Sequence, residues 1–509
     1  MIVATTAGKV RGREKAGLVQ FRGIPFATAE RFRPPRPVEG WAGVRDAVEF
    51  GAMAPQNKAP LESVIGGEMA PGDEDCLFLN VFTPAADDAA RPVMVWIHGG
   101  GFASGSGHIP WYDGTQLARA GDVVVVTVNY RLGVLGGLHL GHLDPALAGS
   151  GANNLRDQLA ALQWVRDNVA GFGGDPGNVT VFGESAGAMS VGALLGIPEA
   201  AGLFHKAILQ SGAASNVQTP EVAEWVTDRY LAEVGLSPGS VEGLLDLSVD
   251  EVLRAQAAVE GQVLRGDSPA VHAAGGVLAY QPCVDGTLMT RPPLEAIAAG
   301  ASAGVPVLIG TTHDEWDLFH LSARQQGPLD EVKTRRRLGR IVGEDRAAEI
   351  IDAYRSAHPD ATFDDVVCAA MTDRVFRIPA IRLAEAQVPH APRVSMYRFD
   401  LASTSLAGLL RACHAIEIPF VFGNLDKGGV DMLIGGLDDE AHRLSGRCVE
   451  AWTSMARTGS PETDDLAWPS YDLEHRATAI LDRSPAVEHD PAPEFRELWA
   501  DVGGIQPRV

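Results

Sequence analysis

Cysteine is scarce. Five occur in 509 residues (Cys76, Cys283, Cys368, Cys413 and Cys448), and no CxxC pair is among them. That pattern excludes a disulfide framework and gives no zinc or redox motif. No apolar run approaches the roughly 18 residues of a membrane-spanning helix. The opening MIVATTAGKVRGREK holds too short an apolar stretch for a signal-peptide core, and charges follow at once. A reducing, cytoplasmic setting is the expectation. Basic residues are outnumbered: 42 Lys and Arg face 65 Asp and Glu, for a formal charge of −23. Such a surface repels phosphate backbones, so no nucleic-acid partner is expected, and the charge reads as a solubility surface. Aromatic residues are only 6% of the chain, which argues against an aromatic-lined gorge. Repeats and low-complexity linkers are also lacking.

What is present is material for a large core, with 46% of residues hydrophobic. Apolar β-branched runs recur at Val93–Ile97, Val123–Val128, Val179–Phe182 and Val305–Ile309. Runs that are apolar throughout suit strands buried on both faces. Between them, Asn154 to Val169 places Leu155, Leu159, Leu162, Val165 and Val169 at helical spacing, and Gly171, Gly173 and Gly174 then end the helix. Strands alternating with helices predict an α/β fold with a large, mostly parallel sheet covered on both sides. We expect a single domain over residues 1–509. Two helix-rich stretches without strong strand runs, about 219–277 and 318–390, read as insertions that cap one end of the sheet. The basic run Arg335, Arg336 and Arg337 reads as a solvated helix face.

One segment carries chemistry. Val179 to Met189 reads VTVFGESAGAM: a strand, then Gly183, Glu184, Ser185, Ala186 and Gly187, then a small-residue helix. This is G-x-S-x-G in the strand–turn–helix setting of a nucleophile elbow. The two glycines let neighbouring backbone pass without Cβ clashes. Ser185 then points its hydroxyl into the site, and the Ala186 N–H lies at a helix N-terminus, where it stabilises an oxyanion. Upstream, Trp96 to Phe102 reads WIHGGGF directly after a buried strand, the pattern of an oxyanion loop. Gly100 and Gly101 are the expected donors with Ala186, each worth roughly 10²–10³ in rate. His98 reads as structural.

In this architecture an acid and a histidine follow the serine in that order. Seven of the 14 histidines lie beyond Glu315, and His414 alone sits between a loop and an apolar segment, in RACHAIEIPFVFGN. The acid must follow a strand. VPVLI is followed by Asp314, Glu315 and Asp317, and spacing does not choose among the three.

These residues together resemble the type-B carboxylesterases, the α/β-hydrolase family that includes bacterial para-nitrobenzyl esterases and animal cholinesterases. The shared segments are GKVRG (Gly8–Gly12), FRGIPFA (Phe21–Ala27), RFRPP (Arg31–Pro35), EDCLFLNVFTP (Glu74–Pro84), WIHGGGF, and NLRDQLAALQWVRDNVAGFGGDPGNVTVFGESAGAMS. The resemblance implies a Ser185–His414–Glu315 triad and an oxyanion hole of Gly100, Gly101 and Ala186. Glu184 and Ser211, the latter in AILQSG, become supporting residues. It also implies hydrolysis of short- to medium-chain alkyl or aryl esters through an acyl-enzyme, with no metal or organic cofactor. Amides, thioesters or lactones are the alternative substrates, and a non-catalytic binding protein of this fold is a further alternative. A monomer or small homo-oligomer is expected, with no membrane partner. The chain departs from the family pattern at three places. Trp316 replaces the glycine after the acid, and Ala54 replaces the cysteine that pairs with the one matching Cys76. Ala70 stands where cholinesterases carry a choline-binding tryptophan. The 60s loop and the two insertions are expected to wall the pocket.

Overall fold

The computed structural model describes residues 1–58, 71–237, 241–265 and 278–500. Its frame is an eleven-stranded sheet. In chain order the strands are β1 (Arg13–Lys15), β2 (Leu18–Pro25), β3 (Phe78–Thr83), β4 (Arg91–Ile97), β5 (Val124–Val128), β6 (Gly174–Glu184), β7 (Lys206–Gln210), β8 (Val307–Thr312), β9 (Val394–Phe399), β10 (Ala477–Leu481) and β11 (Ala486–His489). Across the sheet they run β11-β10-β9-β8-β7-β6-β4-β5-β3-β2-β1. The central stretch from β5 to β10 is parallel, and antiparallel strands close both sides.

The apolar runs explain this. Alternate residues of β4 enter two different cores: Val93, Val95 and Ile97 on one face, Met94 and Trp96 on the other. The same split holds for Val124, Val126 and Val128 against Val125. A parallel strand covered on both faces favours apolar residues throughout, hence the near-continuous hydrophobic sequence, with Thr127 the polar exception in β5. The helix Asn153–Asn168 covers one face with Leu155, Leu159, Leu162 and Val165, and it is followed by a short 3₁₀ turn, Val169–Phe172. Gly173 then takes a left-handed φ of 83°, which stops the helical path at the residue type that adopts it without strain.

Both helix-rich stretches fold as helices where described. The first holds Pro220–Glu233, Glu242–Leu245 and Val249–Arg265. Val222, Val226, Tyr230, Val252 and Val259 build a small third core with Leu135, Leu138 and Leu140. The second runs from Trp316–Arg324 through Glu331–Val342, Glu344–Ala357 and Phe363–Thr372 to Ile378–Gln387. A π turn, Asp373–Arg377, joins the last two. Its cause is local: Pro379 has no N–H to return to the Val375 carbonyl, so the α ladder breaks there. Residues 266–277 of the first stretch lie outside the described residues.

Candidate active site

Parallel strands end at one edge of a sheet, and in open α/β sheets that carboxyl edge is where ligands bind. The sequence-predicted residues gather there. The glycine loop follows β4, Ser185 follows β6, Ser211 follows β7, Glu315 lies just beyond β8, and His414 is on the loop after β9.

Ser185 has φ 55° and ψ −125°, a left-handed conformation costly for a side chain. It is the one residue of Val181–Leu195 that is not buried. Space dictates the flanking glycines. A Cβ at Gly187 would stand 1.9 Å from the Ile97 carbonyl oxygen, and one at Gly183 would stand 2.6 Å from the same oxygen. The elbow thus touches the end of β4, which sets the glycine loop beside the serine. Gly99 is closest: its Cβ would lie 2.7 Å from Glu184 Oε2 and 3.1 Å from Ser185 Cβ. Gly100 and Gly101 follow with φ 110° and 63°. Among the described residues, the N–H groups of Gly100, Gly101 and Ala186 donate no hydrogen bond to the protein.

His414 is buried and lies between carboxylates. Its Nδ1–H donates to Glu315 Oε2 at 2.6 Å. Glu315 is fully buried and accepts the Thr312 N–H at 2.8 Å through Oε1. On the other side of the ring, Glu184 Oε1 stands 3.0 Å from Nε2, but off hydrogen-bond alignment. No hydrogen bond joins Ser185 to His414 among the described residues. The three acids that spacing left open are separated by their partners. Asp314 accepts the Ala412 N–H at 3.2 Å, which anchors the loop two residues before His414. Asp317 pairs with Arg324 and Arg411, and only Glu315 reaches the histidine.

Burial alone would depress the His414 pKa, but the charges of Glu184 and Glu315 outweigh it and raise it well above the ordinary value. Burial raises Glu184, against the pull of His414. A third buried acid, Glu417, is pushed up to about 8 by burial and by the charges of Glu184 and Glu315. Gln210 Nε2 donates to it at 3.1 Å, and Trp452 Nε1 donates to Gln210 at 3.0 Å. Glu417 went unassigned in the sequence, although a lone carboxylate inside HAIEIPFVFG is itself a signal, because burying a charge is costly.

Two readings change. Ser211 does end β7 at the site, but among the described residues its Oγ has no hydrogen-bond partner, and the contact that Glu315 Oε1 accepts is the Thr312 N–H instead. The low aromatic content also misleads. Phe319 and Phe376 flank His414 at centroid distances of 5.0 and 4.8 Å. Trp316 packs on both, at 5.0 and 6.4 Å. Its bulk therefore joins an aromatic wall rather than displacing the histidine. His98 is buried, stacked on Tyr130 at 4.4 Å, and held neutral by burial with a pKa near 4. Ala70 and the 60s loop lie outside the described residues.

The sequence pattern of the carboxylesterase family matches residues 1–499. The chain belongs to the carboxylesterase family. It is a hydrolase of carboxylic esters, with small-molecule esters as substrates, so the reading of a binding protein without catalysis falls away. This carboxylesterase is 41% identical to the para-nitrobenzyl esterase of Bacillus subtilis over 504 residues, covering 97% of this chain and 98% of the relative. It is 36% identical to the phenmedipham hydrolase of Pseudarthrobacter oxydans, over 96% of this chain and 97% of that one. A solved Geobacillus stearothermophilus carboxylesterase superposes with a TM-score of 0.86 at 42% identity, covering 98% of this carboxylesterase and 99% of that chain. The α/β-hydrolase fold expected from the motifs is the one observed. No helix among the described residues is long and apolar enough to cross a membrane.

Proposed function

We propose that Ser185 is the nucleophile of this carboxylesterase, His414 its general base and Glu315 the acid that orients the base. The observation that carries this is the fully buried Glu315–His414 hydrogen bond of 2.6 Å, set beside the one unburied, left-handed serine at the sheet edge. His414 Nε2 turns from Glu184 to take the Ser185 Oγ proton as Oγ bonds to the ester carbonyl carbon. The carbonyl electron pair moves onto oxygen, where the N–H groups of Gly100, Gly101 and Ala186 hold it. Collapse breaks the bond to the alcohol, which leaves with the proton from Nε2. Water, deprotonated by the same nitrogen, then releases the acid and frees Ser185. Glu315 stays ionised throughout and stabilises the imidazolium.

We further read the two helical insertions as a cap over this edge, and the enzyme as cytoplasmic. Five unpaired, buried thiols suit a reducing compartment. The Trp316–Phe319–Phe376 wall favours compact aryl and alkyl esters, in keeping with a relative named for para-nitrobenzyl esters. With para-nitrophenyl esters from acetate to palmitate, kcat/KM is expected to peak at or below the butyrate-to-octanoate range and to fall at least tenfold by palmitate. A maximum at palmitate would overturn this size class.

A further inference from the structure

We propose that His139, His142 and Glu224 form a binding site for one divalent transition ion of the zinc class, which clamps the first helical insertion to the loop beneath it. One potential ligand atom from each residue lies within 4.8 Å of the other two. Zinc takes imidazole nitrogen and carboxylate oxygen at about 2.0–2.2 Å, which places ligand atoms about 3.3 Å apart in a tetrahedron. The remaining closure falls on the two side chains free to make it. His142 is exposed and Glu224 half-buried, while the inner His139 is 7% exposed and fixed.

A second observation points the same way. Among the described residues His139 Nδ1 is buried without a hydrogen-bond partner, an unusual state for a polar atom in a closed site. Its surroundings suit a cation. The His139 and His142 rings lie 5.3 Å apart, close enough for both to reach one ion. Asp285 acts electrostatically on the same ring and, among the described residues, keeps one buried carboxylate oxygen without a partner. The frame is already in place. Thr227, one turn beyond Glu224 on the same helix face, donates to the His139 carbonyl at 2.7 Å. The Leu143 and Asp144 N–H groups close a turn on the Leu140 carbonyl, which fixes the loop that carries His142 just after His139.

The clamp would bear on the catalytic edge. The segment bearing these histidines starts at Gly133, whose N–H donates to the Phe102 carbonyl in the glycine loop at 2.6 Å. Two residues before the helix bearing Glu224, Gln218 donates to the Ala279 carbonyl at 2.8 Å, and the neighbouring Leu278 side chain lies against Gly101.

The test uses untagged, chelator-stripped full-length protein, titrated with Co²⁺ and then with Zn²⁺. Wild type, His142→Ala and Glu224→Gln are compared, since the two exposed-side variants leave the fold intact. Wild type should take up one equivalent of Co²⁺ with a ligand-field absorption band that Zn²⁺ abolishes, and Zn²⁺ should raise its melting midpoint. Either variant should weaken uptake at least tenfold and lose the thermal shift, with metal-free esterase activity equal in all three. No stoichiometric uptake by wild type, or uptake unchanged in both variants, would overturn the site.

Discussion

Replacing Ser185 by alanine should lower kcat on para-nitrophenyl butyrate by up to about 10⁶, while the melting midpoint stays where it is. The two halves of that result have separate causes. On the proposed mechanism turnover depends on a covalent bond that only Oγ can form, and without it the proposed oxyanion donors act on a carbonyl that nothing attacks. Stability should not depend on Oγ, which makes no hydrogen bond to the protein among the described residues. Alanine meets the same backbone demand at φ 55°, since both residues carry one Cβ. A wild-type rate in the variant, with a folded protein, would remove Ser185 from the chemistry.

The second large effect is on pH. With its pKa raised well above the ordinary 6.5 by the Glu184 and Glu315 charges, His414 should keep its proton to higher pH than a free imidazole. Only the neutral ring can act as a base, so activity should be lost as pH falls through that raised value. The acid limb of kcat/KM therefore belongs on the alkaline side of pH 6.5. Glu184 supplies part of the shift and bonds neither Ser185 nor the acid. Glu184→Gln keeps the shape and removes the charge, so the limb should move to lower pH, and the variant should keep a larger share of its maximal activity at pH 6. An unmoved limb, or one displaced upward, would contradict the electrostatic account.

Much of the fold and of the proposed site was legible because some constraints are local. An elbow needs glycines wherever β4 backbone passes within contact of Gly183 and Gly187, and the sequence writes that need as G-x-S-x-G. A strand buried on both faces writes itself as VMVWI. The acid was a different case. Asp314, Glu315 and Asp317 share one turn, and what separates them is tertiary: Ala412 bonds the first, Arg324 and Arg411 take the third, and His414 meets the second. The aromatic wall was hidden for a related reason. Composition averages over the chain, whereas Trp316, Phe319 and Phe376 come together through a helix start and a π turn sixty residues apart. The Ser211 expectation came with the family resemblance, and among the described residues its Oγ makes no hydrogen bond.

The account turns on Ser185 as the atom that becomes acylated. The direct measurement is peptide mapping by mass spectrometry after inactivation with an alkyl fluorophosphonate. A single phosphonyl adduct on the Ser185 peptide, formed in step with loss of esterase activity and absent from Ser185→Ala, is the predicted result. An adduct on another residue, or full inactivation with Ser185 unmodified, would contradict it.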